Sequence, residues 1–237
     1  HQWLGNAIFS TIDEVGLLGK ASAAKKGRDA YLRALELDPG LGGARIGLCE
    51  YYLGAPRIAG GSRKKAREHA ERLLTVPGFE CHGHRVLATI HAKEGEWAEG
   101  ASQIDRAIET AAAGEERRSM FMAWIGLTLQ KGRHDDANAY ARRLLADEPG
   151  NARNEYTLGA TLQESGDFAE AVAHLEAARD AMPEQASPLW RLAQTYDELG
   201  RVADAHAAYS RFVERFAGDE RSTAAAKRVK RLARDLP

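Results

Sequence analysis

Two short stretches carry the side chains best suited to chemistry. In "ECHGH", Glu80 to His84, a thiol at Cys81 and imidazoles at His82 and His84 stand close together, and His91 follows two helical turns later. Thiolate and imidazole are the ligands that hold zinc or copper. On a helix Cys81 and His84 share a face, whereas His91 lies about 10 Å farther along the axis. No second Cys/His pair completes four ligands. The stretch therefore predicts a surface turn and helix start, with no metal site and no cofactor.

The second stretch, "GAPRIAGGSRKKA" from Gly54 to Ala66, sets glycines ahead of a basic helix. A phosphate-cradling loop has the form G-x-x-x-x-G-K-[ST] and follows a hydrophobic strand. Here Ser62 and Arg63 separate Gly61 from Lys64, and the preceding "ARIGLCEYYLG" has helical spacing. The segment predicts a turn between two helices, stiffened by Ala55-Pro56, with Gly60-Gly61 allowing a tight backbone and Ser62 capping the next helix. Gly60, Gly61, Ser62, Arg63 and Lys64 also form a candidate anion-binding loop at that helix start. Carboxylate pairs such as Asp135-Asp136 and Asp197-Glu198 fall at helix starts or on exposed faces, and no Ser/His/Asp set assembles. The chain is read as having no catalytic residues and not being an enzyme.

The elements that position these residues follow from composition and period. The 237 residues are 44% hydrophobic and 28% charged, with 33 basic against 34 acidic side chains and a formal net charge of −1. Such balance supplies no field to draw the chain to nucleic acid or to an anionic membrane. No apolar run reaches membrane-spanning length. The start "HQWLGNAIFS" lacks a basic region followed by a long apolar one, and His1 begins inside a helical pattern. Alanine abounds and β-branched runs are few, which favours helix.

Gly132, Gly166 and Gly200 recur every 34 residues, and Ala137, Ala171 and Ala205 keep the same interval. Pro149 and Pro183 are in step, as are Leu158 and Leu192. The fullest copy, "NEYTLGATLQESGDFAEAVAHLEAARDAMP" (residues 154 to 183), carries Leu158-Gly159, Gly166-Asp167-Phe168, Ala171, Leu175, Ala178 and Pro183. Small residues at 159 and 171 mark where two helices cross closely. Leu158, Leu162, Leu175 and Ala178 fill the space around that crossing. Gly166 ends the first helix in a left-handed conformation and Asp167 caps the second. Toward the N-terminus Leu48 lies 39 residues before Leu87, so five residues are inserted inside "GAPRIAGGS". "YLRALELDP" (Tyr31 to Pro39) reads as a second helix, Trp3-Leu4-Gly5 as part of a first, and "DEVGLLGKA" between them as another enlarged turn.

This pattern resembles the tetratricopeptide repeat family through nearly the whole chain. The resemblance implies an all-α fold: a right-handed superhelical solenoid of antiparallel helix pairs, with about six repeats and a C-terminal capping helix. The expected divisions are 1–41 (a divergent repeat with an inserted turn), 42–80 (with the Gly-rich turn), 81–117, 118–151, 152–185, 186–218 and the cap at 219–237. "WLG", "ALELDP" and the A-P-x-x-x-G-G-S insertion further resemble a bacterial group of tetratricopeptide proteins of the cell envelope. A leader removed before His1 places such a chain in the periplasm or envelope; without one it is cytoplasmic.

Tetratricopeptide arrays bind partners on a concave face lined by first helices. On this chain that face takes in Arg85, Met122, Arg153, Tyr156, Gln163, Trp190, Gln194 and Asp197. Tyr156 and Trp190 are 34 residues apart and are expected to project side by side; Trp190 alternatively packs between repeats. Aromatic and arginine side chains suit a peptide partner. Chaperone-binding relatives clamp a carboxylate with lysine and asparagine, and no asparagine takes the matching places. The resulting expectation is a non-catalytic protein-interaction scaffold, with a protein or peptide partner, no nucleic acid and no membrane span. Two alternatives remain: a small-ligand component of an envelope or transport system, with Trp3, Tyr51 and Tyr52 in its pocket, and a self-assembling structural element. The basic stripe Lys227, Arg228, Lys230, Arg231 and Arg234 reads as the solvated face of the cap, with contact to acidic lipid or nucleic acid as the other reading.

Overall fold

Between the recurring glycines the chain offers mostly alanine, leucine, glutamate and arginine, all strong helix formers. In a computed structural model, which describes residues 17–236, these segments form twelve α-helices and no strand among the described residues. They are α1 (Leu17–Leu37), α2 (Gly42–Gly54), α3 (Arg63–Leu73), α4 (Glu80–Glu94), α5 (Trp97–Thr110), α6 (Glu115–Gln130), α7 (His134–Asp147), α8 (Ala152–Ser165), α9 (Phe168–Ala181), α10 (Ala186–Glu198), α11 (Val202–Arg215) and α12 (Ser222–Leu232). The chain divides into two compact units, 1–124 and 125–237.

In the first unit α2 packs on α1, α3 on α2, α4 on α3 and α5 on α4, and α2 also touches α4. The second repeats the scheme from α7 to α12, with α8 also touching α10. Within α1 to α5 and within α7 to α12 each helix thus lies against its sequence neighbour, while first helices meet across the intervening one, the stacking of a helical repeat.

One boundary differs from the sequence expectation. The segment 17–21 belongs to α1 and not to an inserted turn, so α1 runs far ahead of Tyr31. Glycine lowers helix stability by only about 1 kcal/mol relative to alanine, and the surrounding Leu, Lys and Ala residues outweigh it. Trp3-Leu4-Gly5 and the first half of that turn lie outside the described residues.

The crossing predicted at Gly159 is present. A Cβ there would stand 2.7 Å from Cγ of Leu175, so α8 and α9 approach too closely for any side chain at that place. Leu158, Leu162, Leu175 and Ala178 are buried around it. Gly166 ends α8 with φ +88°, as expected of a left-handed helix end. Asp167 departs from expectation. It precedes α9 but makes no side-chain cap; its Oδ2 instead accepts from Ser165 Oγ at 2.6 Å and from Asn138 Nδ2 at 3.4 Å. The carboxylate joins neighbouring turns where the sequence suggested a local cap.

Candidate functional site

The Gly-rich insertion is closed by its own backbone. After α2 the chain makes a short 3₁₀ turn at Arg57–Ala59, and Ser62 then caps α3 by accepting from the Lys65 amide at 3.3 Å. The amides of Gly60, Gly61 and Ser62 donate to the carbonyls of Arg57, Pro56 and Tyr52 at 3.0, 3.0 and 2.9 Å. These N–H groups are engaged within the loop and do not point to an external anion. Arg63 and Lys64 are exposed at the start of α3. Tyr51 Oη donates to the Ala59 carbonyl at 2.5 Å and pins the insertion from below.

Tyr51 and Tyr52, expected beside Trp3 in a ligand pocket, are instead core residues, 4% and 5% exposed. Tyr52 stacks on His69 with ring centroids 5.7 Å apart; Trp3 lies outside the described residues. Burial, followed by the charge of Arg45, holds the His69 imidazole below its ordinary 6.5, with Lys65 adding to and Glu68 opposing that shift. The unfolded chain therefore takes up this proton more readily than the folded one, and acid favours unfolding. The His69 contribution to stability is complete above about pH 6.5 and is lost as pH falls through the lower folded value. Urea midpoints measured from pH 8 to 5 should decline, and His69→Gln should flatten that decline.

His84 and His91 turn away from Cys81 and His82 to other partners. His84 Nδ1 lies 2.8 Å from Gln103 Oε1, toward α5. His91 Nδ1 meets Glu96 at 2.6 Å, and Arg67 closes the other side of that cluster, bonding Glu94 at 2.8 Å with His91 Nε2 at 3.4 Å. Cys49 is a buried free thiol against the Ala66 carbonyl, pushed up to about 12 by burial, in keeping with its structural reading.

Of the eight groove residues, Arg85 and Met122 belong to the first unit and the other six to the second. Arg85 is half-buried and faces Glu50 at 3.7 Å. Met122 is half-buried in α6. In the second unit the organising residue is one that the sequence pattern did not single out, Arg191 on α10. Its Nε donates to Tyr156 Oη at 3.2 Å, Nη1 to Gln163 Oε1 at 2.7 Å and Nη2 to Glu164 Oε1 at 3.1 Å. Gln163 Nε2 returns a bond to the Arg191 carbonyl at 3.1 Å. One planar guanidinium thus fixes three side chains of α8, a task for which its rigid fork is suited. Arg191 directly follows Trp190, so its place on the α10 face opposite Gln163 was the available signal.

Trp190 does not stand free beside Tyr156. It is half-buried against α11, with ring centroids 5.7 Å from Tyr209 and 5.2 Å from Phe212. The Arg221 guanidinium lies 5.8 Å from the Trp190 ring. Asp219 holds Arg221 through two bonds of 2.8 and 2.7 Å, and that hydrogen bonding brings the carboxyl down to about 2. The packing alternative for Trp190 is the one its surroundings describe.

Asp197 is likewise engaged. Arg228 of α12 grips both its oxygens at 2.5 Å. Arg228 is thereby removed from the expected solvated stripe, while Lys227, Lys230, Arg231 and Arg234 are exposed. Arg153 is exposed on α8 and Gln194 half-buried on α10. What remains available is a polar face in which Arg153, Tyr156, Gln163 and Arg191 present cations and amide-like donors beside one aromatic ring. Such a face can bond carbonyl and carboxylate oxygens.

No helix among the described residues is long and apolar enough to cross a membrane. Residues 162–228 match the tetratricopeptide repeat family model. No curated protein matches the sequence. Among solved structures the chain is similar to PilW, a widely conserved type IV pilus biogenesis factor, at 16% identity and TM-score 0.59, over 94% of this chain and 98% of that one. It is also similar to YrrB, a tetratricopeptide protein with an unusual peptide-binding site, at 14% identity and TM-score 0.53, over 84% and 98%. Residues 162–228 thus carry the tetratricopeptide repeat by sequence, and the chain shares the helical-repeat fold of these solved structures.

Proposed function

We propose that the chain is a non-catalytic protein-interaction scaffold, and that an extended peptide segment lies across α8 and α10 of the second unit. The observation that carries this reading is the Arg191 fork, which sets Tyr156 and Gln163 in fixed orientations before any partner arrives. Preorganised side chains lose less freedom on binding, and arginine and tyrosine are the residue types that dominate interface energies. A protein of the same fold, YrrB, has a peptide-binding site, which agrees with this assignment. Trp190 and Asp197 belong to the support of the face, since both are held by the C-terminal segment. Arg153 is its exposed charged edge.

The test is affinity capture from extracts of the source organism, with the bound segment then titrated as a synthetic peptide against the native chain and three variants. Tyr156→Ala and Arg191→Ala should each weaken binding about thirtyfold, the size of a hot-spot loss near 2 kcal/mol. Arg234→Ala, on the exposed cap, should leave it unchanged. Equal affinity for all four proteins would place the binding face elsewhere.

A further inference from the structure

A second site lies in the first unit. Cys81 and His82 occupy the first turn of α4, and Glu116, 35 residues after Cys81 in sequence, occupies the first turn of α6. One donor atom of each, a sulfur, an imidazole nitrogen and a carboxylate oxygen, all lie within 4.8 Å of one another. We propose that Cys81, His82 and Glu116 bind a borderline-soft divalent cation of the zinc type, tying the start of α4 to the start of α6.

The chemistry of the set fits that ion. One thiolate, one imidazole and one carboxylate are all zinc ligands, and three protein ligands leave a fourth position for water. Zinc-bound donors stand about 3.5 Å apart in a tetrahedron with bonds of about 2.0–2.3 Å, so the three atoms need to close by about 1 Å. Side-chain rotation supplies that distance. Glu116 is already aimed: its Oε2 accepts from the Ala112 amide at 2.7 Å, and its Oε1 stands 3.6 Å from His82 Nε2. The Cys81 sulfur lies within 4.8 Å of a carboxylate oxygen of Glu116. His82 keeps Nδ1 buried with no partner, and the Phe79 ring beside it limits where the imidazole can turn.

Charge is also balanced. On binding, the thiol releases its proton to solvent, and the resulting thiolate and the Glu116 carboxylate together neutralise a divalent ion. Both anions sit in first turns of helices, where the helix dipole favours negative charge. Arg85, whose charge bears on His82, faces Glu50 at 3.7 Å. The cluster of His91, Glu94 and Glu96 lacks these features, because the Arg67 guanidinium already bonds it.

The experiment is cobalt titration of the untagged, chelator-stripped chain. Binding should saturate at one ion per chain with a thiolate-to-cobalt charge-transfer band, and zinc should displace it. Cys81→Ser should abolish the band. His82→Gln and Glu116→Gln should weaken binding by at least about tenfold, the scale of loss for even the outer partners of metal ligands. Glu116→Gln retains an acceptor for Ala112, so circular dichroism should report an unchanged fold. Should Cys81→Ser fail to fold, the native chain still decides: zinc must slow alkylation of Cys81 as read by peptide mass. No band at one equivalent, a band that survives Cys81→Ser or disappears with Cys49→Ser, or alkylation of Cys81 indifferent to zinc would each overturn the assignment.

Discussion

Phe212→Ala should lower the stability of the second unit by about 3–5 kcal/mol, the usual cost of emptying a fully buried aromatic site. Phe212 is 0% exposed and touches the rings of Trp190 and Phe216, while the Arg221 guanidinium lies 5.5 Å from its centroid. Its removal opens space under all three at once, and helices α10 and α11 cannot close on it without moving the Arg221–Asp219 pair. Urea unfolding followed by tryptophan fluorescence will read both consequences, a lower midpoint and an altered native spectrum as Trp190 loses its packing. A stability within about 1 kcal/mol of the native chain would mean that this cluster is not the keystone of the unit.

Gly61→Ala should cost about 2–3 kcal/mol, the upper part of the range for an overpacked site. A Cβ at this position would stand 1.8 Å from the Ala55 carbonyl oxygen and 2.8 Å from its carbon. Backbone atoms cannot swing aside as a flexible side chain can. The loop must open, and the bonds from Gly61 to Pro56 and from Ser62 to Tyr52 then break. Thermal melting of the variant, with Gly54→Ala as the comparison, will test this. Gly54 has open space around its Cβ position and carries no such penalty. Backbone contact thus holds the insertion in shape, as expected of a joint between helices.

The two substitutions also mark what a one-dimensional reading can reach. The period of 34 residues is legible because every repeat meets the same packing problem at the same place, so Gly159, Ala171 and Leu175 announce a crossing that the space around Gly159 then bears out. Cys49 as a buried thiol and Ser62 as a cap are legible for the same reason, since each depends only on its own repeat. Arg191 is not, because its role depends on how α10 is turned toward α8, which no residue type encodes locally. Trp190 and Asp197 read as members of an open face until the segment after Asp219 is laid against them. Cys81 and Glu116 do not declare themselves as a pair, because spacing along one helix cannot reveal a meeting between two. The start of α1 is hidden by glycines that look like stop signals, although their cost is small against a long run of good helix formers.

The grip of Arg228 on Asp197 has a further consequence for the way the molecule comes apart. The last helix buries Ser222, Ala225 and Leu232 and adds a partly solvated ion pair, whereas the helices beneath it are anchored by interlocked aromatics and leucines. Salt weakens the ion pair and spares the apolar packing. Amide exchange should therefore show α12 detaching as its own cooperative segment, earlier as ionic strength rises, with α10 and α11 still protected. The end of the chain behaves as a latch whose tension the surrounding electrolyte adjusts.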